Sequence, residues 1–194
     1  MKLQIFITAL IIAPIFSIAQ ISAKGLQIND KAPLFAATDQ NGKKISLKDE
    51  LKKGTAVLVF YRGQWCPYCN RQLKKLEDSL SFIKSKGATL IAITPEKPEN
   101  ITKTIEKTKA SYSVLFDDGL KIMKSYDVAF TVDDNTLKNY KKWGIDLAEA
   151  NGNNGNVLPV PAVYIINKNG IITYKHFDPD YKQRASVQEI LMHL

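Results

Sequence analysis

Cys66 and Cys69 are the residues of this chain whose type and spacing most clearly indicate chemistry. They lie in the stretch FYRGQWCPYCN, with two residues between them, and the sequence holds no further cysteine. Tetrahedral zinc needs four ligands, and the two histidines, His176 and His193, lie far from the pair in sequence, so no metal is expected. A disulfide across so short a loop would constrain the unfolded chain very little, which argues against a structural staple. The pattern therefore favours a redox-active pair.

The elements predicted around the pair should activate a thiolate. The apolar, β-branched run 55–61 predicts a strand buried on both faces, and the pattern over 67–86 predicts a helix that begins beside the cysteines. A helix N-terminus presents unpaired N–H groups and a positive dipole end, and both favour thiolate over thiol. Arg62 should add positive potential, and Pro67 suits the first helical turn.

The rest of the chain alternates between strand and helix patterns. Asn41-Gly42 predicts the turn of an N-terminal β-hairpin, and the segment rich in Asn and Gly at 151–156 is interpreted as a flexible surface connection. Further strands are predicted at 88–94, 112–119, 162–167 and 171–176, and further helices at 98–109, 120–126, 135–143 and 185–194. The expected fold is α/β: a single domain over 26–194, with a mixed central sheet, helices on both faces and a helical insertion before the last hairpin.

The first residues are predicted to be a signal peptide. Residues 1–19 combine one Lys, an apolar run interrupted by Pro14, and small residues at Ser17 and Ala19. Cleavage after Ala19 would leave an exported, periplasmic or extracellular protein without a stable membrane anchor. The formal charge is +8, spread over scattered lysines, so a solvated basic surface is expected rather than nucleic-acid binding.

Three stretches carry a resemblance to a known family: VLVFYRGQWCPYCNRQL, LIAITPEKP and LPVPAVYIINKNGIITYKHFDPDYKQR. Together they make residues 26–194 similar to the peroxiredoxin-like branch of the alkyl-hydroperoxide-reductase/thiol-specific-antioxidant family, within the thioredoxin-fold superfamily. The resemblance implies a thioredoxin-like fold and a thiol-dependent peroxidase that reduces hydrogen peroxide or organic hydroperoxides through a Cys66–Cys69 redox disulfide. It implies no cofactor, and an external dithiol reductant such as a thioredoxin-like protein.

The resemblance nominates two different attacking sulfurs. Thioredoxins attack with the first cysteine of the pair, here Cys66, whereas the helix start of peroxiredoxins aligns their peroxidatic cysteine with Cys69. Peroxiredoxins also place an Arg just before a late strand, and this chain has Pro161 there, which is expected to be a cis-proline facing the pair as in thioredoxins. Arg62 is then a candidate replacement for the missing Arg, and Trp65 a shield beside the sulfur.

Two enzymatic hypotheses therefore stay open. The first is the thiol peroxidase, supported by the resemblance over most of the chain. The second is an envelope thiol–disulfide oxidoreductase, supported by the Cys-x-x-Cys spacing, by Pro161 and by the missing Arg. A binding module that retained the fold is a third reading, and it must explain an intact, solitary cysteine pair.

Overall fold

We describe residues 23–194 in a computed structural model of the chain. The predicted signal peptide, residues 1–19, lies outside the described residues. Between residues 23 and 194, no helix is both long and apolar enough to cross a membrane.

A five-stranded mixed sheet forms the centre of the molecule. Its strands, in spatial order, are β5 (Ser113–Phe116), β4 (Ala88–Thr94), β3 (Thr55–Phe60), β8 (Ala162–Ile166) and β9 (Ile172–Phe177). The pairs β3–β4 and β4–β5 are parallel, whereas β3–β8 and β8–β9 are antiparallel. This sheet confirms the predicted thioredoxin-like α/β fold, and it places β3, which leads into the cysteines, at the centre.

Helices cover both faces of the sheet because the side chains of each strand alternate between two cores. In β3, Val57 and Val59 belong to one buried cluster, while Leu58 and Phe60 belong to the other. The first core is completed by α2 (Pro67–Asp78), α3 (Leu80–Ser85), α4 (Pro98–Thr108) and α8 (Val187–Met192). The second core is completed by α1 (Leu47–Lys53) and α5 (Lys121–Ser125).

The structure differs from the predicted helix over 67–86 at one residue. Ser79 has φ −110° and ψ 9°, so α2 ends at Asp78 and α3 begins at Leu80. The backbone N–H of Ser79 bonds to the carbonyl of Leu76 at 3.3 Å, which tightens the last turn of α2. Leu76, Leu80 and Ile83 nevertheless remain buried in the same core. The apolar spacing therefore predicted the buried residues on both sides of Ser79, but it did not indicate that the helix is interrupted there.

Two short sheets flank the central one. The predicted N-terminal hairpin is confirmed as β1 (Ala36–Thr38) and β2 (Lys44–Ser46), which pair antiparallel. The predicted helical insertion is also present: α6 (Asp134–Lys142) and α7 (Leu147–Asn151) lie between β6 (Ala129–Thr131) and β7 (Val157–Pro159), which pair with each other. The β6–β7 pairing was not predicted, because each strand has only three residues and no period can be recognised in so short a run.

The segment 151–156, expected to be a flexible surface connection, lies only partly at the surface. Asn151 and Asn154 are both buried. The Asn154 amide donates to the carbonyls of Pro95 (2.8 Å) and Asp117 (3.0 Å) and accepts from the N–H of Gly119 (3.0 Å). Asn side chains can replace missing backbone partners in this way, so the segment ties the insertion to the loops that follow β4 and β5.

Candidate active site

The cysteine pair lies where the central strand β3 gives way to helix α2. Cys66 is the N-cap residue of α2, Pro67 is its first residue, and the backbone N–H of Cys69 donates to Cys66 Sγ at 3.3 Å. Cys66 and Cys69 are joined by a disulfide, with their Cα atoms 5.3 Å apart. Both cysteines are 0% exposed. The predicted strand–turn–helix arrangement around the pair is thus present, with both sulfurs closed off from solvent.

Arg62 lies against the first sulfur, as its position in the sequence suggested. Its Nη2 donates to Cys66 Sγ at 3.3 Å and its Nη1 donates to the hydroxyl of Tyr140 at 3.1 Å. The guanidinium stacks 3.8 Å from the ring centroid of Tyr181 and 5.1 Å from that of Trp65. These contacts fix the plane of the guanidinium, so its charge is held at the sulfur.

A second arginine, Arg184, was not predicted to belong to the site. Its Nη2 lies 3.4 Å from Cys69 Sγ and 3.9 Å from Cys66 Sγ, so one nitrogen is in reach of both sulfurs. Its Nε donates to the carbonyl of Tyr181 at 2.7 Å, and its Nη1 donates to the side-chain oxygen of Gln72 at 3.2 Å. Arg184 therefore brings a second positive charge to the sulfurs, where the sequence analysis had suggested only Arg62. It lies more than a hundred residues after Arg62 in the chain.

The two guanidinium groups make the site strongly cationic. Among the described residues, neither Arg62 nor Arg184 forms an ion pair with a carboxylate. Burial, and secondarily the charge of Arg62, lowers the pKa of Arg184 to about 10; burial also lowers the pKa of Arg62. Because an arginine side chain stays protonated in proteins, both groups are cations at neutral pH. An uncompensated positive field at the sulfurs favours the thiolate form of the reduced pair.

Aromatic rings close the site on two sides. The rings of Trp65 and Tyr140 lie 5.3 Å apart, and Tyr140 comes from α6 of the insertion. The rings of Tyr68 and Tyr181 meet edge to face at 5.6 Å. Trp65 packs both against the core below α2 and against the small core of the insertion. The insertion thus reaches the active site through Tyr140.

The expectation of a cis-proline at Pro161 was wrong. Among the described residues there is no cis peptide bond, so Val160 and Pro161 are joined in trans. Pro161 is buried immediately before β8, where the ring can begin a strand without having to donate a ladder hydrogen bond. The backbone N–H of Val160 pairs instead with the carbonyl of Val128 at 2.8 Å.

A buried carboxyl, Glu96, holds the loop before the cysteines, although no sequence pattern indicated a role for it. Its Oε2 accepts from the N–H of Gln64 at 2.7 Å, and the residue is 0% exposed. A Cβ at Gly63 would lie 2.5 Å from Glu96 Oε1 and 2.5 Å from Trp65 Nε1, so only glycine fits between them. Burial raises the pKa of Glu96 to about 8, although the Gln64 hydrogen bond and the charges of Lys107 and Lys103 oppose this.

A Glu96→Gln variant is expected to remove a pH dependence of stability. Glu96 ionises near 4.5 in an exposed environment and near 8 in the folded chain, so unfolding releases its proton between these values. The free energy of unfolding should therefore fall as pH rises through that window, by on the order of 5 kcal/mol. Urea unfolding across this range should show the decline in the wild type and a smaller decline in Glu96→Gln, whose amide oxygen can still accept from Gln64. Parallel curves for the two proteins would contradict the assignment.

The chain combines a central mixed sheet with a Cys-x-x-Cys pair at the start of the helix that follows the central strand. These two features define the class of thioredoxin-fold proteins with a paired-cysteine site. Comparison with known families narrows this class. The model of the AhpC/TSA family matches residues 28–175, which is most of the chain. The chain belongs to that family, as the three quoted stretches indicated.

The relatives include both a thiol-disulfide oxidoreductase and a peroxiredoxin, so they do not decide between the two enzymatic hypotheses. The chain is 34% identical over 104 residues to thiol-disulfide oxidoreductase ResA of Bacillus cereus, which covers 53% of this chain and 59% of the relative. It is 31% identical over 104 residues to peroxiredoxin Bcp of Escherichia coli, covering 53% of this chain and 65% of the relative. The fold is similar to that of peroxidoxin BcpB from Mycobacterium tuberculosis, with a TM-score of 0.67 and 16% identity over 87% of this chain and 96% of that one. The chain thus spans about three fifths of the length of the curated relatives it matches.

Proposed function

We propose that this protein is a thiol-dependent peroxidase that reduces hydroperoxides through the Cys66/Cys69 pair. The observation that carries the proposal is a guanidinium nitrogen of Arg184 within hydrogen-bonding reach of both sulfurs, in a site where both cysteines are 0% exposed. A cation at this point can stabilise the attacking thiolate and also the negative charge that develops on the leaving oxygen. A buried pair suits a substrate with a small reacting group better than a protein disulfide.

The proposed reaction begins with the Cys69 thiolate. This sulfur attacks the terminal oxygen of the hydroperoxide; an S–O bond forms, the O–O bond breaks, and the leaving alkoxide takes a proton to become an alcohol or water. Cys69 is then a sulfenic acid, oxidised by two electrons. The Cys66 thiol condenses with it, releases water and forms the disulfide. An external dithiol protein reduces the disulfide and becomes oxidised itself.

The surroundings of the two sulfurs support this division of roles. Arg184 Nη2 is nearer to Cys69 Sγ (3.4 Å) than to Cys66 Sγ (3.9 Å), so its charge bears most on the proposed attacking sulfur. Cys66 Sγ accepts from Arg62 and from the Cys69 N–H at 3.3 Å each. In the reduced pair such donors favour a thiolate at Cys66, and the thiolate is the more reactive form in the condensation with a sulfenic acid.

The second candidate is a thiol–disulfide oxidoreductase that attacks protein disulfides through Cys66. The same donors on Cys66 Sγ favour it, because they would lower the pKa of that thiol as in a thioredoxin-type nucleophile. The similarity to ResA favours it as well. Export to the cell envelope, with cleavage after Ala19, is proposed for both candidates on the basis of the leader alone.

The decisive experiment compares two substrates on the purified protein without residues 1–19. With an excess of dithiol reductant we expect rapid consumption of hydrogen peroxide and of an organic hydroperoxide, and slow reduction of insulin disulfides. Rapid insulin reduction with no peroxide consumption would replace the first candidate with the second.

A further inference from the structure

Arg62 and Arg184 are held at the sulfurs in different ways. The Nε and Nη1 atoms of Arg184 each donate to an oxygen of the chain, so two hydrogen bonds fix its guanidinium. Arg62 has a single anchor of this kind, because only its Nη1 donates to an oxygen, the Tyr140 hydroxyl, at 3.1 Å. Within residues 23–194 the Nε of Arg62 has no hydrogen-bond partner, and its Nη2 donates to Cys66 Sγ.

Aromatic stacking restrains Arg62 but does not complete its placement. The guanidinium lies 3.8 Å from the ring centroid of Tyr181 and 5.1 Å from that of Trp65. Such contacts fix the plane of the group, yet a ring face has no acceptor that selects one nitrogen over another, so rotation within the plane stays open. The Tyr140 hydroxyl engages Nη1 and thereby leaves Nη2 directed at Cys66 Sγ.

Tyr140 is itself placed by the insertion rather than by the segment around the cysteines. It lies on α6, a helix without a fully buried residue. It packs with Leu137, one turn earlier, against the small core that also contacts Trp65. Its hydroxyl accepts from Arg62, which in turn donates to Cys66 Sγ. Two consecutive hydrogen bonds therefore connect the insertion to the first sulfur.

We infer that Tyr140 is a positioning residue that acts on Cys66 through Arg62. By holding the guanidinium at Cys66 Sγ, it keeps a positive charge where the reduced sulfur becomes a thiolate. The insertion thus sets part of the reactivity of a sulfur with which Tyr140 shares no hydrogen bond. This inference rests on the redox role that the proposed function gives to the pair, and it applies to a peroxide substrate and to a protein disulfide alike.

Further titratable groups lie near the contact between Arg62 and Tyr140 or near Cys66: Tyr181, Arg184, Asp133 and Glu96. All of them stay unchanged in the variants described below. A difference in thiol pKa between these variants therefore reports on Tyr140 and Arg62.

The test measures the pKa of the Cys66 thiol by thiolate absorbance in a Cys69→Ser background. Tyr140→Phe keeps the ring and removes the acceptor, so it should raise this pKa by about half a unit and reduce the thiolate fraction about threefold. Arg62→Gln removes the charge and should reduce that fraction about tenfold or more. Tyr126→Phe is the matched control: it loses a hydroxyl hydrogen bond in the core on the other face of the sheet and should leave the pKa unchanged.

A double variant shows whether Tyr140 acts through Arg62. If it does, Tyr140→Phe has no further effect once Arg62→Gln is present, so the two changes are not additive. Equal shifts in both backgrounds, or no shift in either, would overturn the inference. A Tyr140→Phe protein that only unfolds at a lower temperature, with an unchanged thiol pKa, would overturn it as well. Should Arg62→Gln not fold, Arg62→Lys takes its place, since it loses the planar group that Tyr140 orients.

These measurements need no substrate, which separates them from the test of the proposed function. If the protein consumes no peroxide but the pKa shifts appear as expected, the peroxidase proposal fails and the positioning role of Tyr140 stands. If peroxide is consumed but the Cys66 thiol has the same pKa with and without the Tyr140 hydroxyl, the peroxidase stands and the role of Tyr140 is overturned.

Discussion

A Cys69→Ser variant is expected to consume no peroxide at all, whereas Cys66→Ser should react once and stop. In our proposal Cys69 forms the bond to oxygen, so a serine at this position removes the nucleophile. Without Cys66 the sulfenic acid on Cys69 has no partner in the chain, so the disulfide cannot form and turnover by a dithiol protein ends. One equivalent of peroxide should be consumed by Cys66→Ser, and mass spectrometry after a sulfenic-acid trap should locate the adduct on Cys69.

The opposite pattern would assign the attack to Cys66. A sulfenic-acid adduct on Cys66 in Cys69→Ser, with no reaction in Cys66→Ser, would refute the proposed division of roles while retaining the peroxidase. A mixed disulfide of Cys66 with a protein substrate, trapped in Cys69→Ser, would instead support the oxidoreductase candidate. Both cysteines are buried, so thermal unfolding of each variant must be compared with that of the wild type to show that the fold is retained.

Replacing Arg184 by Gln is expected to lower kcat/KM for peroxide by about a hundredfold or more. The variant loses the cation that lies within reach of both sulfurs, and the loss of a single positioned donor at a developing negative charge commonly has an effect of this size. The pKa of the reacting thiol should rise at the same time, because a positive charge that favoured the thiolate is gone. Kinetics across a range of pH values, together with thiolate absorbance, would measure the two effects separately.

Two further variants sharpen this result. Arg184→Lys keeps the charge but cannot reach Gln72, the Tyr181 carbonyl and the sulfurs with one planar group, so only a partial recovery is expected. Lys84→Gln removes an exposed charge elsewhere and should behave like the wild type. If Arg184→Gln retained both the wild-type kcat/KM and the wild-type thiol pKa, the contact between Arg184 and the sulfurs would have no role in the chemistry.

Local patterns were sufficient to predict the half of the site that is contiguous in sequence. Strand β3, the first turn of α2, Cys66, Cys69 and Arg62 all lie within a few residues of one another, and their arrangement follows from burial and helix geometry. Arg184 could not be found in this way. It reaches the sulfurs because a turn after β9 brings it back over α2, where Gln72 accepts from it. The stretch FDPDYKQR was recognised as part of the family pattern, but no local rule states which distant side chain its arginine will meet.

The other features that the sequence analysis did not predict also depend on contacts between residues that are distant in sequence. Glu96 follows β4 in an unremarkable Thr-Pro-Glu-Lys sequence, and only the close approach of Gly63 and Trp65 buries it. Pro161 was expected to be cis because of its place in a family pattern, whereas the described residues contain no cis peptide bond. Tyr140 lies in an insertion whose contact with Arg62 requires the whole α6 segment to fold back over the site.

The two unpaired guanidinium groups also affect how readily electrons enter the pair. A disulfide is neutral, while its reduced form can carry a thiolate, so fixed cations stabilise the reduced form more than the oxidised one. The equilibrium with a dithiol donor is therefore displaced toward reduction, and the Cys66–Cys69 couple should have a more positive midpoint potential than an uncharged environment would give it. The two arginines that favour a reactive thiolate would thus also make the disulfide a strong electron acceptor. The disulfide formed in each cycle would therefore be reduced readily by a dithiol protein.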